Sequence, residues 1–553
     1  MLQNCDATDK RSHCPDPAKP SGREALRVHP DDSEAAYRLG CLYQKRHRGQ
    51  EALEAFQSAL RIDPGHARAL CGIGEVWRSQ GRLQQALICF EQAEQIEPGC
   101  SQALFNLALI HRKLGQIDRA EAVYRRIIAH YPGLKAPHWD LGAMYIQQKR
   151  YPEAIHHLRQ AAAIDPASDQ CQFLLGTAYR LTGAFANSLH HLGQCLKIRP
   201  DRAGAWNELA LTLKNTGDLD RALICLDRAI ELKPDLAEAY WNRSFLHLLK
   251  ENYNQGWKDF EWRFKIAQWK HIYPHRLLVP RWSGLPLPGK VILVHDEQGL
   301  GDTIQFVRFL PSLKKLCARV VLETRSELLS VLSSAKGIDR FIVRSSNGRP
   351  AAEFDAYIPL MSLAGIFNTN AGSLPGTIPY LFAAPEKVAR WRSVLTGDKP
   401  NIGLIWAGRP QHVNDHNRSC HLSELTPLLN IEGLQFVSLQ NGPAADQAAG
   451  LTPGIRMVRL GERLHDFSDT AALLANLDLL ITVDTAAAHL AGALGRPVWT
   501  MIPFVPDWRW GLEQAVTPWY PSMRLFRQPR IKDWASVVQE MKKLLMRPPC
   551  LRR

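Results

Sequence analysis

The sequence predicts a chain of two parts, an α-helical solenoid followed by a two-lobed α/β domain. Three observations predict it. Prolines recur every 34 residues through the first half of the chain, a period that indicates stacked helical repeats. A β-branched run at 291–294 then passes through a glycine-bearing turn into an amphipathic helix pattern. Two successive sets of alternating strand and helix patterns follow, which indicates parallel sheets covered by helices.

The composition indicates a soluble globular protein and argues against several other classes. The chain has 553 residues, 45% hydrophobic and 22% charged, which is too long for one ordinary domain. Its net charge of +14 is spread along the chain, which suits an anionic ligand but not a nucleic acid, since no basic stripe appears. Twelve cysteines form no CxxC pair, so we expect reduced thiols and no metal site. With neither a leader sequence nor an apolar stretch that could span a bilayer, the chain is expected to be cytoplasmic.

The first half repeats small and large residues at fixed positions. Each repeat has a small residue in its first helix, such as Gly142, and a large apolar residue in its second, such as Leu158. Each second helix is expected to stop at a proline. These prolines are Pro30, Pro64, Pro98, Pro132, Pro166, Pro200 and Pro234. The pattern resembles the tetratricopeptide repeat.

We therefore expect a tetratricopeptide array over residues 23–270, after a disordered segment at 1–22. The array comprises six full repeats at 33–236 and a degenerate seventh at 237–270, and a helical fragment ending at Pro30 precedes them. Such solenoids offer a concave surface, which favours a protein or peptide partner. The alternative is that the array only supports or dimerises the second domain.

The second half divides into two sets of strands and helices. A proline-rich linker is expected at 271–289, a first lobe at 290–396 and a second lobe at 397–553. The predicted strands are 291–294, 318–323, 340–343, 354–358, 402–407, 435–439, 479–483 and 497–502. The predicted helices include 326–334, 383–396, 422–429, 467–477, 485–494 and 534–545. Two such lobes bind a ligand between them, as in the GT-B architecture of many glycosyltransferases.

Three blocks in this half resemble glycosyltransferase family nine, which includes the heptosyltransferases of lipopolysaccharide assembly. They are 297–305 (EQGLGDTIQ), 403–408 with 417–419 (GLIWAG and NRS), and 483–497 (VDTAAAHLAGALGRP). The resemblance covers about residues 290–545. It is closest to bacterial proteins that join tetratricopeptide repeats to this type of domain. It implies transfer of a sugar from a nucleotide-activated donor.

The third block is the candidate donor site. After the strand that ends at Val483, Asp484 and Thr485 open a helix of small residues, whose free N–H groups and positive end attract a diphosphate. Ala486 leaves room for close approach, and His489, one turn in, is placed to donate to phosphate or sugar. The alternative is an ordinary helix capped by Asp484 or Thr485.

The second block supplies basic residues. By resemblance, Arg418 takes the position of a basic residue that contacts the donor phosphates, and its planar guanidinium suits phosphate oxygens. Arg409, in the same polar loop, is a second candidate. The alternative is that this loop is only a solvated surface. Trp508 lies in an aromatic-rich stretch near the expected cleft and is a further candidate, with simple packing as the competing interpretation.

The first block supplies the candidate base. Gly299 and Gly301 allow a sharp turn and close approach to a ligand, and Asp302 stands where the N-cap of the next helix is expected. By resemblance, Asp302 is the carboxylate that takes the proton from an acceptor hydroxyl. The alternative is that Asp302 only caps the helix. Other candidate residues in or next to this turn are His295, Asp296, Glu297 and Gln298.

These features predict an inverting, metal-independent glycosyltransferase with a nucleotide sugar as co-substrate and no other cofactor. No clearly placed Asp-x-Asp metal motif appears, so a helix dipole and basic side chains are expected to offset the leaving-group charge. The acceptor, recruited by the array, is a polypeptide or alternatively a saccharide or glycolipid. The competing hypothesis is a catalytically inactive scaffold that at most binds a nucleotide.

Overall fold

The chain divides into two compact units, residues 1–200 and residues 201–553. The computed structural model describes residues 32–269 and 277–547, apart from Thr396, Val413 and residues 452–454. The expected disordered segment at 1–22, the helical fragment before Pro30 and the start of the expected linker therefore lie outside the described residues.

The first unit is a row of antiparallel helix pairs. Its helices α1 to α10 are Ser33–Lys45, Gly49–Ile62, Ala67–Ser79, Leu83–Ile96, Ser101–Lys113, Ile117–His130, Lys135–Gln147, Tyr151–Ile164, Asp169–Leu181 and Phe185–Ile198. Every pair falls in the register that the 34-residue period predicts. The predicted α-solenoid is confirmed.

The small residues of the repeats are needed where the two helices of a pair cross. A Cβ added at Gly142 in α7 would lie 2.4 Å from Cγ of Leu158 in α8. At Gly176 in α9 it would lie 2.5 Å from Cγ of Leu192 in α10. Leu158 and Leu192 are fully buried. The alternation of small and large residues thus packs each helix pair at close range.

The second unit begins with two more helix pairs and continues into the α/β domain. Helices α11 to α14 are Ala203–Asn215, Leu219–Leu232, Ala237–Leu249 and Tyr253–Phe260. Short 3₁₀ helices at Glu261–Lys265 and Ala267–Trp269 follow. The last repeats therefore belong to the same compact unit as the α/β domain.

The first lobe is a four-stranded parallel sheet. Its strands are β1 Leu287–His295, β2 Cys317–Thr324, β3 Arg340–Val343 and β4 Ala356–Pro359, in the order β3-β2-β1-β4. Its helices are α15 Leu300–Phe306, α16 Leu310–Lys314, α17 Ser326–Leu332 and α18 Ser362–Ile366. The second half of β1, residues 292–295, is buried because helices cover a sheet of this kind on both faces.

The second lobe is a seven-stranded sheet. Its strands are β5 Asn401–Ile405, β6 Gln435–Ser438, β7 Met457–Arg459, β8 Leu479–Val483, β9 Val498–Ile502, β10 Val516–Thr517 and β11 Tyr520–Arg527. The order is β10-β11-β9-β8-β5-β6-β7, and the pairs are parallel except β10 with β11. The helices that accompany it are α19 Pro385–Arg392, α20 Asp415–Arg418, α21 Thr426–Leu429, α22 Phe467–Leu474, α23 Ala486–Ala493 and α24 Trp534–Leu545.

Each sheet has one point where the strand order reverses direction. In the first lobe this point lies between β1 and β4, and in the second lobe it lies between β5 and β8. Open parallel sheets bind ligands beyond the carboxyl ends of the strands at such points. The three sequence blocks follow β1, β5 and β8, so all three stand at these positions.

The sequence analysis missed three strands, β7, β10 and β11. Pro521 stands inside β11 and hides its strand pattern, because proline normally marks the edge or end of a strand. Strand β7 has only three residues and gives no readable alternation. The helix predicted at 422–429 is a 3₁₀ turn, Leu422–Leu425, followed by the short α21. Among the described helices, none combines the length and the apolar character needed to cross a membrane.

Candidate active site

The N-terminus of α23 has backbone donors without partners. Thr485 occupies the N-cap position, yet its side chain makes no cap hydrogen bond, and its hydroxyl lies 3.0 Å from the hydroxyl of Thr482 instead. The N–H groups of Ala486 and Ala487 have no acceptor among the residues that the structure describes. The first turn of α23 is therefore open to an anion, since such groups and the helix dipole attract negative charge.

Arg418 lies directly beside this helix start. Its Nη1 donates to the backbone oxygen of Asp484 at 2.9 Å, and its Nε donates to Oδ1 of Asp415 at 3.2 Å. Gly408 makes room for this arrangement, because a Cβ there would lie 2.4 Å from Nη2 of Arg418. The structure thus brings the second and third sequence blocks together. Arg409, in contrast, is exposed on the loop.

Asp484 has an unusual protonation equilibrium. Burial and the nearby Asp507 carboxylate raise the pKa of its carboxyl to about 6, although Arg418 opposes the shift. The charged and the neutral form of this carboxyl are thus about equally populated near pH 6. Loss of its charge would favour an anion at α23, because a like charge would leave the site.

His489 packs deep between the lobes. It is buried, its Nδ1 lies 3.1 Å from the hydroxyl of Tyr520, and its ring stacks on Trp510 with centroids 5.2 Å apart. Burial lowers the pKa of this imidazole well below its ordinary value, and Arg509 and Arg418 lower it further. His489 is therefore a neutral ring at physiological pH.

The turn of the first block lies against α23. A Cβ added at Gly301 would lie 2.7 Å from Cδ2 of His489 and 3.4 Å from Cα of Ala486. The close approach that the sequence predicted for Gly301 is thus an approach to the opposite lobe. Gly299 is exposed and forms the N-cap of α15.

The prediction that Asp302 is the N-cap of its helix is wrong. Helix α15 begins at Leu300, two residues before Asp302. Gly299 is its N-cap, and Asp302 occupies the third helical position. From there its Oδ2 accepts a hydrogen bond from the N–H of Gly299 at 2.7 Å. A carboxylate at this position can reach back to the cap, whereas an N-cap carboxylate reaches forward.

The other oxygen of Asp302 pairs with Arg509, which the sequence analysis did not single out. Oδ1 of Asp302 forms an ion pair with Nη2 of Arg509, a residue of the 3₁₀ helix Trp508–Trp510. Asp507 also pairs with this guanidinium, at 2.9 Å. A signal existed, because Arg509 follows β9 and thus stands beyond the carboxyl end of a strand next to β8.

Glu297 makes structural contacts inside the fold. It is buried, and its carboxylate binds both the guanidinium of Arg263 and, at 2.9 Å, the N–H of Met361. Gln298 has a positive φ of 57°, and its backbone oxygen accepts from Nη1 of Arg325 at 2.9 Å. The Glu297 carboxylate and the Gln298 backbone are therefore both held by contacts with arginines.

The remaining candidates of the sequence analysis are also packed. Asp296 is fully buried and pairs with Arg325 at 2.9 Å. His295 is buried at the end of β1. Trp508 is buried edge to face between Trp257 and Trp519, at 5.3 and 5.7 Å. These contacts favour packing roles over ligand stacking.

Two open pockets lie elsewhere in the second unit. One, of about 380 Å³, is lined by Trp257, Trp282 and Arg281 among others, and the other, of about 420 Å³, is lined by residues including Glu251 and Gln514. None of the predicted site residues lines either pocket. We place the candidate site at the strand-order reversals, because unpaired backbone donors of α23, the Arg418 guanidinium and the Asp302 carboxylate converge there. The described residues contain no group of three or more metal-binding side chains.

Comparison with known families agrees with the fold. Tetratricopeptide repeat profiles match residues 18–67, 37–99, 78–135, 105–169 and 203–236. The profile of glycosyltransferase family 9 (heptosyltransferase) matches residues 377–527, which include Arg418 and α23 but not Asp302. Together these matches describe a class of protein, one that joins N-terminal tetratricopeptide repeats to a C-terminal glycosyltransferase family 9 domain.

Three individual proteins that resemble this chain share 28% or less of its sequence over the aligned residues. Protein FlbA of Caulobacter vibrioides is 28% identical over 321 residues, which cover 53% of this chain and 52% of FlbA. The chain thus spans about half the length of this curated relative. Among solved structures, a tetratricopeptide repeat protein from Parabacteroides merdae is 19% identical, with a TM-score of 0.36, and covers 42% of this chain and 93% of its own. The tetratricopeptide protein YrrB is 19% identical, with a TM-score of 0.26, and covers 40% of this chain and 96% of its own.

Proposed function

We propose that the protein is a glycosyltransferase that moves a sugar from a nucleotide-sugar donor to an acceptor recruited by the repeat array. The observation that carries the proposal is the open N-terminus of α23 with Arg418 beside it. Unpaired helix N–H groups together with an arginine form a site for a diphosphate. The match to glycosyltransferase family 9 over residues 377–527 supports the same reaction class.

The proposed reaction is a single displacement with inversion. Asp302 takes the proton of an acceptor hydroxyl, and the oxygen of that hydroxyl attacks the anomeric carbon. The bond from this carbon to the phosphate oxygen breaks, and its electron pair leaves with the nucleoside diphosphate. The positive end of α23 and the Arg418 guanidinium offset the charge that develops on the leaving group. The reaction so proposed needs no metal ion and no cofactor besides the donor.

Asp302 is proposed as the base because of its position between the lobes. It stands on α15 next to Gly301, which approaches the first turn of α23. A base must lie within hydrogen-bond reach of the acceptor while the donor is bound. The side chains of Asp296 and Glu297 are completely buried and paired with arginines, whereas the side chain of Asp302 is 17% exposed, which makes Asp302 the better candidate.

The acceptor is proposed to be a polypeptide held by the repeats. Tetratricopeptide solenoids offer extended concave surfaces for such partners. A cytoplasmic location fits both the use of a nucleotide sugar and the nine described cysteines, all of which are free thiols.

A donor screen tests the proposal. The full chain is incubated with a panel of nucleotide sugars, and release of nucleoside diphosphate is measured with and without the proteins that co-purify with it. Mass spectrometry of those proteins then detects an added sugar. We expect one donor to be consumed and one co-purified protein to gain its mass. If no donor is consumed and calorimetry detects no nucleotide binding, the protein is a scaffold instead.

A further inference from the structure

Arg509 is held by three acceptors at once. Its guanidinium pairs with Asp302 and Asp507 and donates to Oε1 of Gln305. The side chain is only 8% exposed, and it lies over the ring of Trp508 at 4.4 Å from the ring centre. A desolvated arginine with planar, forked donors is suited to binding anions.

Asp302 has both of its oxygens occupied in this arrangement. Oδ2 accepts from the backbone of Gly299, and Oδ1 pairs with Arg509. A general base must offer an oxygen to the hydroxyl that it deprotonates. The contact with Gly299 belongs to the backbone of the α15 start, whereas Arg509 is a side chain that can turn away. Release of Arg509 is therefore the change that would make Asp302 available.

Arg509 also lies near the proposed diphosphate site at the N-terminus of α23. Arg509 pairs with Asp302, and Gly301 beside Asp302 packs against Ala486 and His489 in the first turn of α23. The Arg509 charge also acts on the carboxyl of Asp484 and on the ring of His489. A diphosphate at the α23 N-terminus would carry more than one negative charge, whereas the Asp302 carboxylate carries one. The donor would thus compete with Asp302 for the same guanidinium.

We propose that Arg509 exchanges Asp302 for the donor diphosphate, so that donor binding itself frees the base. This inference rests on the proposed function, because it needs a diphosphate at α23. In the empty site Arg509 neutralises Asp302 and holds the two lobes together. In the loaded site it becomes a ligand of the leaving group, and Asp302 faces the acceptor. The protein would bind its donor before it activates an acceptor.

A double-mutant cycle on diphosphate binding tests the exchange. The full chain and its Asp302→Asn, Arg509→Gln and double variants are titrated calorimetrically with UDP, GDP, CDP and ADP. In the native background, Asp302→Asn should strengthen binding of the preferred nucleotide about tenfold, because it releases Arg509. In the Arg509→Gln background the same change should have less than about a twofold effect.

The outcomes separate the inference from the function on which it rests. If Asp302→Asn strengthens binding equally in both backgrounds, only the general charge of Asp302 matters and the exchange is overturned. Equal nucleotide affinity of the native chain and Arg509→Gln overturns the exchange alone. Absence of nucleotide binding to the native chain overturns the proposed function and the exchange together.

Two further variants control for folding. Arg509→Met also removes the charge, and it replaces Arg509→Gln in the cycle if that variant does not fold. Arg243→Gln removes a comparable ion pair, the one with Asp259 at 2.6 Å in the last repeats. We expect it to lower the thermal stability and leave nucleotide affinity unchanged. A loss of affinity in Arg243→Gln equal to that in Arg509→Gln would mean that destabilisation explains both, which overturns the exchange.

Discussion

The guanidinium of Arg263 and the carboxylate of Glu297 form a two-pronged ion pair in which both side chains are completely buried. Arg263 belongs to the 3₁₀ helix after the last repeat, and Glu297 belongs to the turn after β1. Ser362 accepts a further hydrogen bond from Arg263 at 2.7 Å. The pair therefore joins the end of the repeat array to the lobe that holds the candidate base.

This ion pair leads to a prediction about stability. Arg263→Met should destabilise the second unit by about 3–5 kcal/mol, because it leaves the buried Glu297 carboxylate without a positive charge to pair with. Urea unfolding followed by tryptophan fluorescence measures the loss. Lys290→Met is the control, since it removes a pair with Asp355 at the surface and should cost less than about 1 kcal/mol. Equal losses in the two variants would contradict the prediction.

The candidate base leads to a kinetic prediction. Asp302→Asn should lower kcat by roughly 10²–10⁴-fold, because proton removal contributes about that much to such reactions. Donor affinity should not fall, since Asn keeps the hydrogen bond to Gly299. Steady-state kinetics with the donor identified by the screen measures both quantities. Glu327→Gln, at an exposed position of the same lobe, should leave them unchanged, and full activity in Asp302→Asn would reject the base assignment.

The space at Gly408 leads to a prediction about the donor site. Gly408→Ala would place a Cβ 2.4 Å from Nη2 of Arg418 and 2.6 Å from Oδ1 of Asp415. The guanidinium must then move away from α23, so nucleoside diphosphate affinity should fall about tenfold, as expected for the loss of one charged hydrogen bond. Calorimetry measures the change. Gly450→Ala enters open space in the same lobe and should bind as the native chain does; a similar loss there would contradict the mechanism.

Asp484 leads to a prediction about pH. Its folded pKa of about 6 lies above the ordinary 3.8, so the folded state favours the protonated carboxyl. The associated stability is complete below pH 4 and is lost as the pH rises through 6. Because asparagine does not ionise, Asp484→Asn should gain stability over the native chain above pH 6, on the order of 1–3 kcal/mol, and none of this gain below pH 4.

Urea unfolding of both proteins between pH 4 and pH 8 tests this dependence. Asp446→Asn, at an exposed position of the same lobe, provides the baseline for the effect of the substitution itself. A gain that is the same at every pH, or one that grows toward low pH, would show that the charge of Asp484 is not the cause.

The repeats lead to the prediction that two glycine-to-alanine substitutions change stability in opposite directions. Gly142→Ala should destabilise the first unit by about 1–3 kcal/mol, because its Cβ would overlap Leu158. Gly193→Ala, in α10 with open space around it, should stabilise by about 0.5–1 kcal/mol, since alanine favours the helix. Thermal unfolding compares the two variants. Destabilisation by both would mean that the crossing contact is not the cause.

Most of the fold follows from patterns along the chain. The proline period placed every helix pair of the array, and Leu479–Val483 and Trp534–Leu545 have the bounds that the sequence predicted. These patterns are local, because helix and strand impose their own periods on apolar residues. The misses have local causes too, such as Pro521 inside β11 and the helix start at Leu300 rather than at Asp302.

For the candidate site, too, some features follow from local sequence and others from tertiary packing. The sequence by itself determined that Arg418, Asp484 and Asp302 stand at the carboxyl ends of strands, because strand, turn and helix start are read from neighbouring residues. Only the tertiary structure decided which charges meet. Asp302 lies 207 positions from Arg509, and Arg263 lies 34 from Glu297. Such pairings depend on how sheets and helices pack in three dimensions, and no spacing along the chain records that packing.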